Sequence, residues 1–523
     1  MKPLADRWLN SSRPGLMALG VLALTVLTIV ARAPVLLKDQ AIEDEVVYCV
    51  VAHEILAGGQ PYTSAIERKP PLLFWTYAAI FKVFGPFNWR ALHGSGIAWV
   101  LLTMLALYLT ARRLFDRRTG LVAALLYSVF QPWLYPNNLS FNGEVLMNLP
   151  IACAYLIGFR PGRSRWRPEL AVAGALLAAA FLLKQPAAIA AVPLGVYVLL
   201  PAYRRARGYL MGDSLIQAAV LTAGFFAVLL AVGAVLLSRG LLGEAIYWTI
   251  GDHDVPHVFW EKALEHTATF AAACLPLVAG AAASLTNAEL WTGRRAERAA
   301  LCGLLIVSAI GAASSGRFFP HYYIALLPPL TLLAAPALAQ LWPDTGRTRE
   351  RRVVRRLGLG WVTAAAALFF LIDCRELARL PPETEAGLYI RTHSEPDERL
   401  FVWGRQTQIY LDARRRPASR YITTFPLTGY IFGPPLPDID TSARILPGAW
   451  DNLTRDFLAH SPRYIVDVEV GPSARYPVGQ FPTLAHLLAT EYRPVLKTGE
   501  GIVYQRLTAG AGTSRPVTTA TPD

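Results

Sequence analysis

Acidic and basic side chains stand close to the first apolar stretches of the chain, where ionised groups are costly to keep. Glu43, Asp44 and Glu45 follow the first apolar run, and Arg68 and Lys69 come later in the same polar segment. Charges beside hydrocarbon are usually functional. One of the carboxylates could act as a general base toward a hydroxyl, and Lys69 could hold a lipid phosphate as a point charge. The alternatives are a solvated helix start for the acids and a snorkelling lysine.

Two helices are expected to carry these charges. The pattern over 44–56 suits a helix, and Gly58–Gly59 makes a plausible end to it. Tyr48 lies four residues after Asp44 and therefore shares its face. Pro70–Pro71 can open a second helix at Leu72, because a proline in the first turn loses no needed donor.

Further charged and aromatic groups are predicted on the same side of the membrane. Glu144 ends the polar loop NNLSFNGE and could be a second carboxylate facing Asp44, although a plain polar turn is the alternative. Lys184 interrupts the apolar segment FLLKQP. Three cations on one side, Lys69, Lys184 and Arg317, are what a phosphate leaving group at the lipid interface requires. His321 and Tyr322 stand near Arg317, where an interfacial aromatic belt is the competing interpretation.

The composition predicts a mainly α polytopic membrane protein. Of the 523 residues, 54% are hydrophobic and 17% charged, and the mean hydropathy is +0.34. Eleven apolar runs fit as transmembrane helices. They are roughly 15–34, 91–111, 119–136, 145–159, 169–183, 186–202, 215–237, 267–287, 299–314, 321–342 and 357–374.

Loop charge sets the predicted orientation. A basic cluster follows every even-numbered run, as expected for a cytoplasmic N-terminus. The clusters are Arg112/Arg113/Arg117/Arg118, Arg160/Arg163/Arg165/Arg167, Arg204/Arg205/Arg207, Arg294/Arg295/Arg298 and Arg347/Arg349/Arg351/Arg352/Arg355/Arg356. These loops also account for the formal charge of +13 without a nucleic-acid partner. With eleven spans the C-terminus lies outside.

The predicted organisation has three parts. Residues 1–374 form the transmembrane domain, with an outer loop at 35–90. Residues 375–507 form a small extracytoplasmic α/β domain, because Leu400–Trp403, Tyr464–Val470 and Gly501–Leu507 suit strands while Thr384–Thr392 and Asp451–His460 suit helices. Gly499-Glu500-Gly501 suggests a hairpin turn. The Thr/Gly/Pro-rich tail, 508–523, is predicted to be disordered.

Other site types have little support. The five cysteines form no CxxC and no disulfide framework, and no GxGxxG, P-loop or HExxH context occurs. His253 and His257 lie near Asp252 and Asp254, but their spacing is not compelling for a metal, and a polar loop is the preferred interpretation.

The motifs resemble those of a known family. Asp44-Glu45 followed by Tyr48, then KPPLLFW, resembles the first outer loop of the polytopic C-type glycosyltransferases. The nearest group is the bacterial branch of the protein O-mannosyltransferase and aminoarabinose lipid A transferase superfamily (glycosyltransferase family 39-like, GT-C fold). NGEVLMNLP resembles its second acidic motif, which usually has Asp where this chain has Glu144. FLLKQPAAIAAVPL and FPHYYIALLPPL resemble its lysine-bearing turn and its late segment.

The resemblance implies an inverting transferase that uses a sugar linked to polyprenyl phosphate and a hydroxyl of a lipid, glycan or protein acceptor. Asp44 would be the base, Glu45 a neighbour in the site and Glu144 an aid to the acceptor or to the charge of Asp44. The donor phosphate would be bound by Lys69 and Lys184, and by Arg317 or Tyr322, with support from Tyr48, Arg68 and His321. No metal or other cofactor is expected. The family resemblance implies that the protein lies in the inner membrane of a bacterium.

Two other functions remain open. A transporter or lipid flippase would need charged or broken helices near the bilayer midplane, whereas the charges here gather at the outer surface. A glycan polymerase or ligase that uses a diphosphate-linked lipid would face the same side, and an assay with a monophosphate-linked sugar would separate it.

Overall fold

The computed structural model describes residues 14–160, 166–251, 258–341, 349–430, 440–507 and 518–519. The first half of the chain is helical. Its helices are α1 (Pro14–Arg32), α2 (Asp44–Leu56), α3 (Pro71–Phe84), α4 (Trp89–Leu114), α5 (Arg117–Phe130), α6 (Gly143–Gly158), α7 (Glu169–Leu183), α8 (Ala191–Leu199), α9 (Pro201–Arg207) and α10 (Met211–Ser238). The helices that follow are α11 (Leu242–Ile246), α12 (Trp260–Ala273), α13 (Leu275–Thr286), α14 (Arg295–Ala313), α15 (Leu327–Ala339) and α16 (Arg349–Arg379).

Within the described ranges, six helical stretches are long and apolar enough to cross a bilayer. They are Ala18–Leu37, Trp89–Leu114, Met211–Ser238, Arg295–Ala313, Pro320–Ala339 and Arg352–Arg379. Two bent pairs of helices raise the number to eight, and α3, α6 and α7 are apolar but shorter. The architecture is thus mainly helical with many candidate spans, while the number eleven stays a prediction.

Local sequence explains where the helices near the polar segment begin and end. Helix α2 covers the predicted residues Asp44–Leu56, and Gly58 then adopts a φ of +88° that suits glycine. Helix α3 begins at Pro71, one residue before the predicted start. Helix α7 ends at Leu183, and Lys184 is extended. Pro186 has no backbone N–H, so the α-helical hydrogen bonds could not continue through it.

The C-terminal residues contain both helices and strands. In chain order they are α17 (Glu385–Thr392), β1 (Leu400–Trp403), α18 (Gln408–Ala413), α19 (Phe425–Thr428), α20 (Ala449–His460), β2 (Tyr464–Val468), α21 (Pro482–Glu491), β3 (Tyr492–Lys497), β4 (Gly501–Arg506) and β5 (Thr518–Thr519). The sheet order is β1-β2-β4-β3-β5, with β1 parallel to β2 and the pairs β2/β4 and β3/β4 antiparallel.

The strands and helices predicted for this region agree with the structure within two residues at each end. The predicted hairpin turn at 499–501 joins β3 to β4, where the Thr498 amide donates to the Gly501 carbonyl at 2.8 Å. Helices α18, α19 and α21 and strand β3 were not predicted from the sequence. Of the tail predicted to be disordered, 508–517 and 520–523 lie outside the described residues, and Thr518–Thr519 pairs with β3.

Candidate active site

Asp44 is the first residue of α2, and its side chain is partly exposed. The carboxylate is 35% exposed, and its Oδ2 lies 3.7 Å from His321 Nε2. The Tyr48 hydroxyl, one turn along the same helix, donates to Oδ2 at 3.4 Å. Asp44 is therefore held by neighbours on two elements and is still accessible to a substrate.

Glu45 anchors the start of α2 and is not exposed in the site. Its side chain is fully buried and accepts hydrogen bonds from the backbone amides of Ile42, at 3.0 Å, and Phe141. His93 Nε2 on α4 lies 3.1 Å from the same carboxylate. The intervening Glu43 has a φ of +53°, a conformation that costs on the order of 1–3 kcal/mol in a residue other than glycine. The three contacts of Glu45 stabilise this strained turn directly before Asp44.

A polar chain connects Asp44 to the loop before α6. Asn137 Nδ2 lies 3.1 Å from His321 Nδ1. With the amide donating to Nδ1, the imidazole proton is on Nε2, which faces Asp44. The His321 ring is further fixed by stacking on Phe319, with 5.8 Å between ring centroids. Asn137 thus orients His321 toward the carboxylate, a role that the polar-turn composition of its loop did not reveal.

Electrostatics keep Asp44 ionised. Burial alone would raise its pKa, but the influence of His321, Lys69 and Lys184 outweighs burial, so the pKa of Asp44 lies below its usual range. Burial and the nearby Asp44 keep the pKa of Tyr48 well above its ordinary value. The pair is therefore a carboxylate accepting from a neutral phenol.

A cavity of about 410 Å³ carries most of the other predicted site residues. Its polar part contains four cations, one acid and one phenol, namely Arg68, Lys69, Lys184, Arg317, Glu144 and Tyr322. The rest of the lining is largely apolar and includes Met147, Ile151, Ile189, Val307 and Ala312. A cavity that is cationic in one part and apolar in the other suits an amphiphilic anion.

Lys184 and Glu144 form a buried ion pair in the cavity wall. Lys184 Nζ lies 2.8 Å from Glu144 Oε1, and both side chains are less than a tenth exposed. Burial favours the neutral amine, but Glu144 outweighs it and raises the pKa of Lys184, so the lysine stays charged. The Lys184 side chain crosses directly over Gly143, where an added Cβ would stand 2.8 Å from Lys184 Cδ. Lys184 Nζ also lies 5.2 Å from the Tyr322 ring centroid, a cation–π distance.

The backbone of Lys69 is held by a hydrogen bond, whereas its ammonium group has a more distant carboxylate partner. The Tyr62 hydroxyl donates to the Lys69 carbonyl at 2.8 Å, and Lys69 Nζ lies 3.6 Å from Glu67. Burial and the charge of Lys184 lower the pKa of Lys69. An anion bound between the two ammonium groups would offset the repulsion between their charges.

The arginines of the cavity are placed by neighbouring elements. The Arg68 guanidinium stacks 4.2 Å from the Phe425 ring centroid, and the Gln185 amide donates to the Arg68 carbonyl at 2.6 Å. Although adjacent residues on an extended segment usually point in opposite directions, Arg68 and Lys69 both line the cavity. Arg317 comes from the loop between α14 and α15.

The predicted residues therefore fall into two groups and one outlier. Six line the cavity, and Asp44, Tyr48 and His321 form a cluster outside its lining. Asp44 is nevertheless near enough to Lys69 and Lys184 for their charges to lower its pKa. Glu45 is the outlier, because its carboxylate is occupied by backbone amides and His93. Sequence reasoning also missed Arg405 on the loop after β1, whose charge contributes to the lowered pKa of Asp44.

No group of three or more His, Cys, Asp or Glu side chains within the described part of the chain could hold a metal ion. The weighed metal candidates, Asp252, His253, Asp254 and His257, lie outside the described residues.

Comparison with known families and structures gives consistent matches. Residues 68–238 match the model of the family described as dolichyl-phosphate-mannose-protein mannosyltransferase. This segment includes Arg68, Lys69, Glu144 and Lys184 but neither Asp44 nor Arg317. No curated protein matches the sequence.

Solved structures share the fold over nearly the whole of this chain. ArnT from Cupriavidus metallidurans bound to undecaprenyl phosphate matches with a TM-score of 0.59 and 17% identity, covering 96% of this chain and 100% of that chain. Its apo state gives a TM-score of 0.56 at 17% identity, with the same coverage. The archaeal oligosaccharyltransferase AglB from Archaeoglobus fulgidus, in complex with an inhibitory peptide and a dolichol-phosphate, gives 0.53 at 13% identity, covering 95% of this chain and 75% of that chain.

Proposed function

We propose that this chain is a polytopic C-type glycosyltransferase and that it transfers a sugar from a polyprenyl-phosphate-linked donor to a hydroxyl of an acceptor. The family match over 68–238 and the shared fold of ArnT and AglB support the proposal. The observation that carries the proposal is the cavity lined by four cations and by apolar side chains, two of whose cations, Lys69 and Lys184, act on the pKa of Asp44. The similar ArnT structure is bound to undecaprenyl phosphate and the AglB complex contains a dolichol-phosphate, which supports a donor of the same class.

The donor phosphate would lie among Lys69, Lys184 and Arg317. A monophosphate diester carries one negative charge, which lysine and arginine can balance without a divalent ion. Tyr322 and Arg68 complete the polar end of the cavity. The first isoprene units would lie along the apolar part, where removing each buried methylene from water contributes about 0.8 kcal/mol.

The reaction would be a direct displacement at the anomeric carbon. The acceptor oxygen forms a bond to that carbon, while the bond between the carbon and the phosphate oxygen breaks and its electron pair leaves with the phosphate. The acceptor proton passes to Asp44, so the products are the inverted glycoside and polyprenyl phosphate. Charge builds on the leaving phosphate, and Lys69 and Lys184 stabilise it there.

Donor binding would strengthen the base. In the free protein, Lys69 and Lys184 help hold the pKa of Asp44 low, which makes it a weak proton acceptor. A phosphate bound to these lysines offsets their charge and shifts the pKa of Asp44 upward. Since a base is most effective when its pKa is near the operating pH, Asp44 would become competent only after the donor is in place.

The remaining residues have supporting roles in this proposal. Glu144 keeps Lys184 charged and in place, and His321 and Tyr48 orient the Asp44 carboxylate. Glu45 is assigned to the start of α2 rather than to the chemistry. The cavity would open at the non-cytoplasmic face of a bacterial inner membrane, an orientation supported by the alternating basic clusters. The sugar, a hexose or a pentose, and the acceptor, a lipid, glycan or protein, are left to experiment.

The substitution Asp44→Asn tests the proposal, because it keeps the volume and removes the base. With purified protein and a panel of undecaprenyl-phosphate hexoses and pentoses, we expect turnover to fall by about 10²–10⁴-fold. Binding of undecaprenyl phosphate should be retained. Wild-type turnover in the variant would refute Asp44 as the base, and transfer only from diphosphate-linked donors would favour the polymerase or ligase alternative.

A further inference from the structure

One stretch of the C-terminal region, residues 414–425, packs against the polar segment that ends in Lys69. We call this stretch the strap. It contacts the segment 54–68 at three places, through Arg416, Arg420 and Phe425. Lys69 follows this segment directly.

The first contact is a two-point ion pair. Arg416 donates from Nε and Nη2 to the two carboxylate oxygens of Glu54, each at 2.8 Å. The Glu54 side chain is 2% exposed, so the pair is buried on the side of its carboxylate. Planar pairs of this kind fix geometry as well as charge. The pair therefore sets where the end of α2 lies on the strap.

The second and third contacts lie close to Lys69. The Ile66 amide donates to the Arg420 carbonyl at 2.8 Å, and the Arg68 guanidinium lies over the Phe425 ring at 4.2 Å. Between α2 and α3 the chain has no regular helix or strand. Its position is consequently determined by such side-chain and single backbone contacts.

The strap itself is firmly held. It runs beside β1, where the Leu400 amide donates to the Arg416 carbonyl at 3.1 Å and the Ala418 amide donates to the Leu400 carbonyl at 2.8 Å. The Arg420 guanidinium is bound by Asp456 of α20, with the shortest distance 2.8 Å. A strap tied to the sheet can act as a fixed reference for the segment 54–68.

We propose that the strap is a positioning element of the donor site, in which Arg416 and Phe425 hold segment 54–68 so that Lys69 reaches the donor phosphate. This inference rests on the proposed function, because it takes Lys69 as a phosphate ligand. Phe425 and Arg416 act through Lys69 and are positioning residues. The C-terminal region is therefore part of the donor site, although its strands lie outside the cavity.

The test is direct binding of undecaprenyl monophosphate to the full-length protein in detergent. Phe425→Leu keeps an apolar side chain and removes the ring beneath Arg68. We expect it to weaken binding by about three- to tenfold, the range of a partly buried cation–π contact. In a Lys69→Ala background the same change should cost less than about twofold, because effects that act through one residue are not additive.

Arg416→Lys is the second variant, since it keeps a charge opposite Glu54 but gives up the two-point geometry. It should weaken binding in the same direction and lose its effect in the Lys69→Ala background. The matched control is Arg391→Ala, which removes another two-point pair of the C-terminal region, with Glu383 at 2.7 and 3.0 Å. The Arg391 backbone carbonyl accepts a hydrogen bond from Arg415 of the strap at 3.2 Å, and this contact is kept when only the side chain is shortened. Arg391→Ala should leave binding unchanged.

The outcomes separate the two hypotheses. If the wild-type protein does not bind undecaprenyl phosphate, the donor assignment is wrong and the role of the strap falls with it. If the wild type binds but Phe425→Leu and Arg416→Lys have no effect, or weaken binding equally with and without Lys69, the strap does not position Lys69. A loss that disappears with Lys69→Ala supports the inference, since a general loss of structure would persist there.

Discussion

Gly143→Ala should displace Lys184 and thereby impair transfer without unfolding the protein. The new methyl group would stand 2.8 Å from Lys184 Cδ. Carbon atoms pack without repulsion only beyond about 3.4 Å, so Cδ must move by at least about 0.6 Å. The added Cβ would also stand 3.4 Å from the Leu183 carbonyl oxygen and from Lys184 Cβ, which leaves little room for an easy escape.

Displacing Cδ moves the ammonium group at the end of the same side chain. The contact of 2.8 Å between Lys184 Nζ and Glu144 then changes, and so does the position offered to the phosphate. A misplacement of about 1 Å can cost on the order of 10²-fold in rate, so a shift of this size should lower kcat/KM by about tenfold. The overpacking itself should destabilise the protein by about 1–3 kcal/mol.

The assay is transfer from the active undecaprenyl-phosphate sugar, together with thermal unfolding in detergent. Gly94→Ala is the matched control, because Gly94 also lies in a helix and its added Cβ would meet no atom within 4 Å. In a Lys184→Ala background the Gly143→Ala change should cost little further activity. Full activity of Gly143→Ala, or an equal loss with and without Lys184, would refute the assigned position of Lys184.

Three other predictions concern Lys69, Asp44 and Glu45. Lys69→Ala should raise the donor KM and lower kcat, because Lys69 would bind the phosphate in the ground state and more strongly as charge builds in the transition state. If neither parameter changes in steady-state kinetics, Lys69 does not bind the donor phosphate. The pKa of Asp44 is lowered in the free protein, so kcat/KM should fall only below about pH 4, the ordinary carboxylate range. The acid limb of kcat should lie at higher pH than that of kcat/KM, because the bound phosphate offsets the positive charge of the lysines near Asp44. Acid limbs at the same pH in the kcat and kcat/KM profiles would contradict an effect of donor binding on the pKa of Asp44. Glu45→Gln should lower the free energy of unfolding by about 1–3 kcal/mol, because an amide nitrogen would then face backbone amides that now donate to Glu45. If thermal unfolding is unchanged while turnover is lost, Glu45 takes part in the reaction instead.

Much of the local structure could be predicted from the sequence, because local patterns decide it. Helix α2 follows from its apolar pattern and from Gly58, and α3 from Pro71. The break at Lys184 follows from Pro186, and the β3–β4 turn from its glycines. The grouping of Lys69, Lys184 and Arg317 at one cavity was also expected, since three cations beside hydrocarbon need a common reason to be there.

Only the tertiary structure showed what each of the two adjacent acids contacts. Residue type and spacing do not distinguish Asp44 from Glu45, and the assignment of Asp44 as the base came from the family resemblance. In the fold, Glu45 accepts from the Phe141 amide and contacts His93, whereas Asp44 lies beside His321. The contacts between the strap and the segment 54–68 could not be predicted from the sequence either, because Glu54 and Arg416 are separated by 362 positions along the chain. Residue types and spacing determined the chemistry this protein can offer, whereas long-range packing determined which side chains are free to perform it.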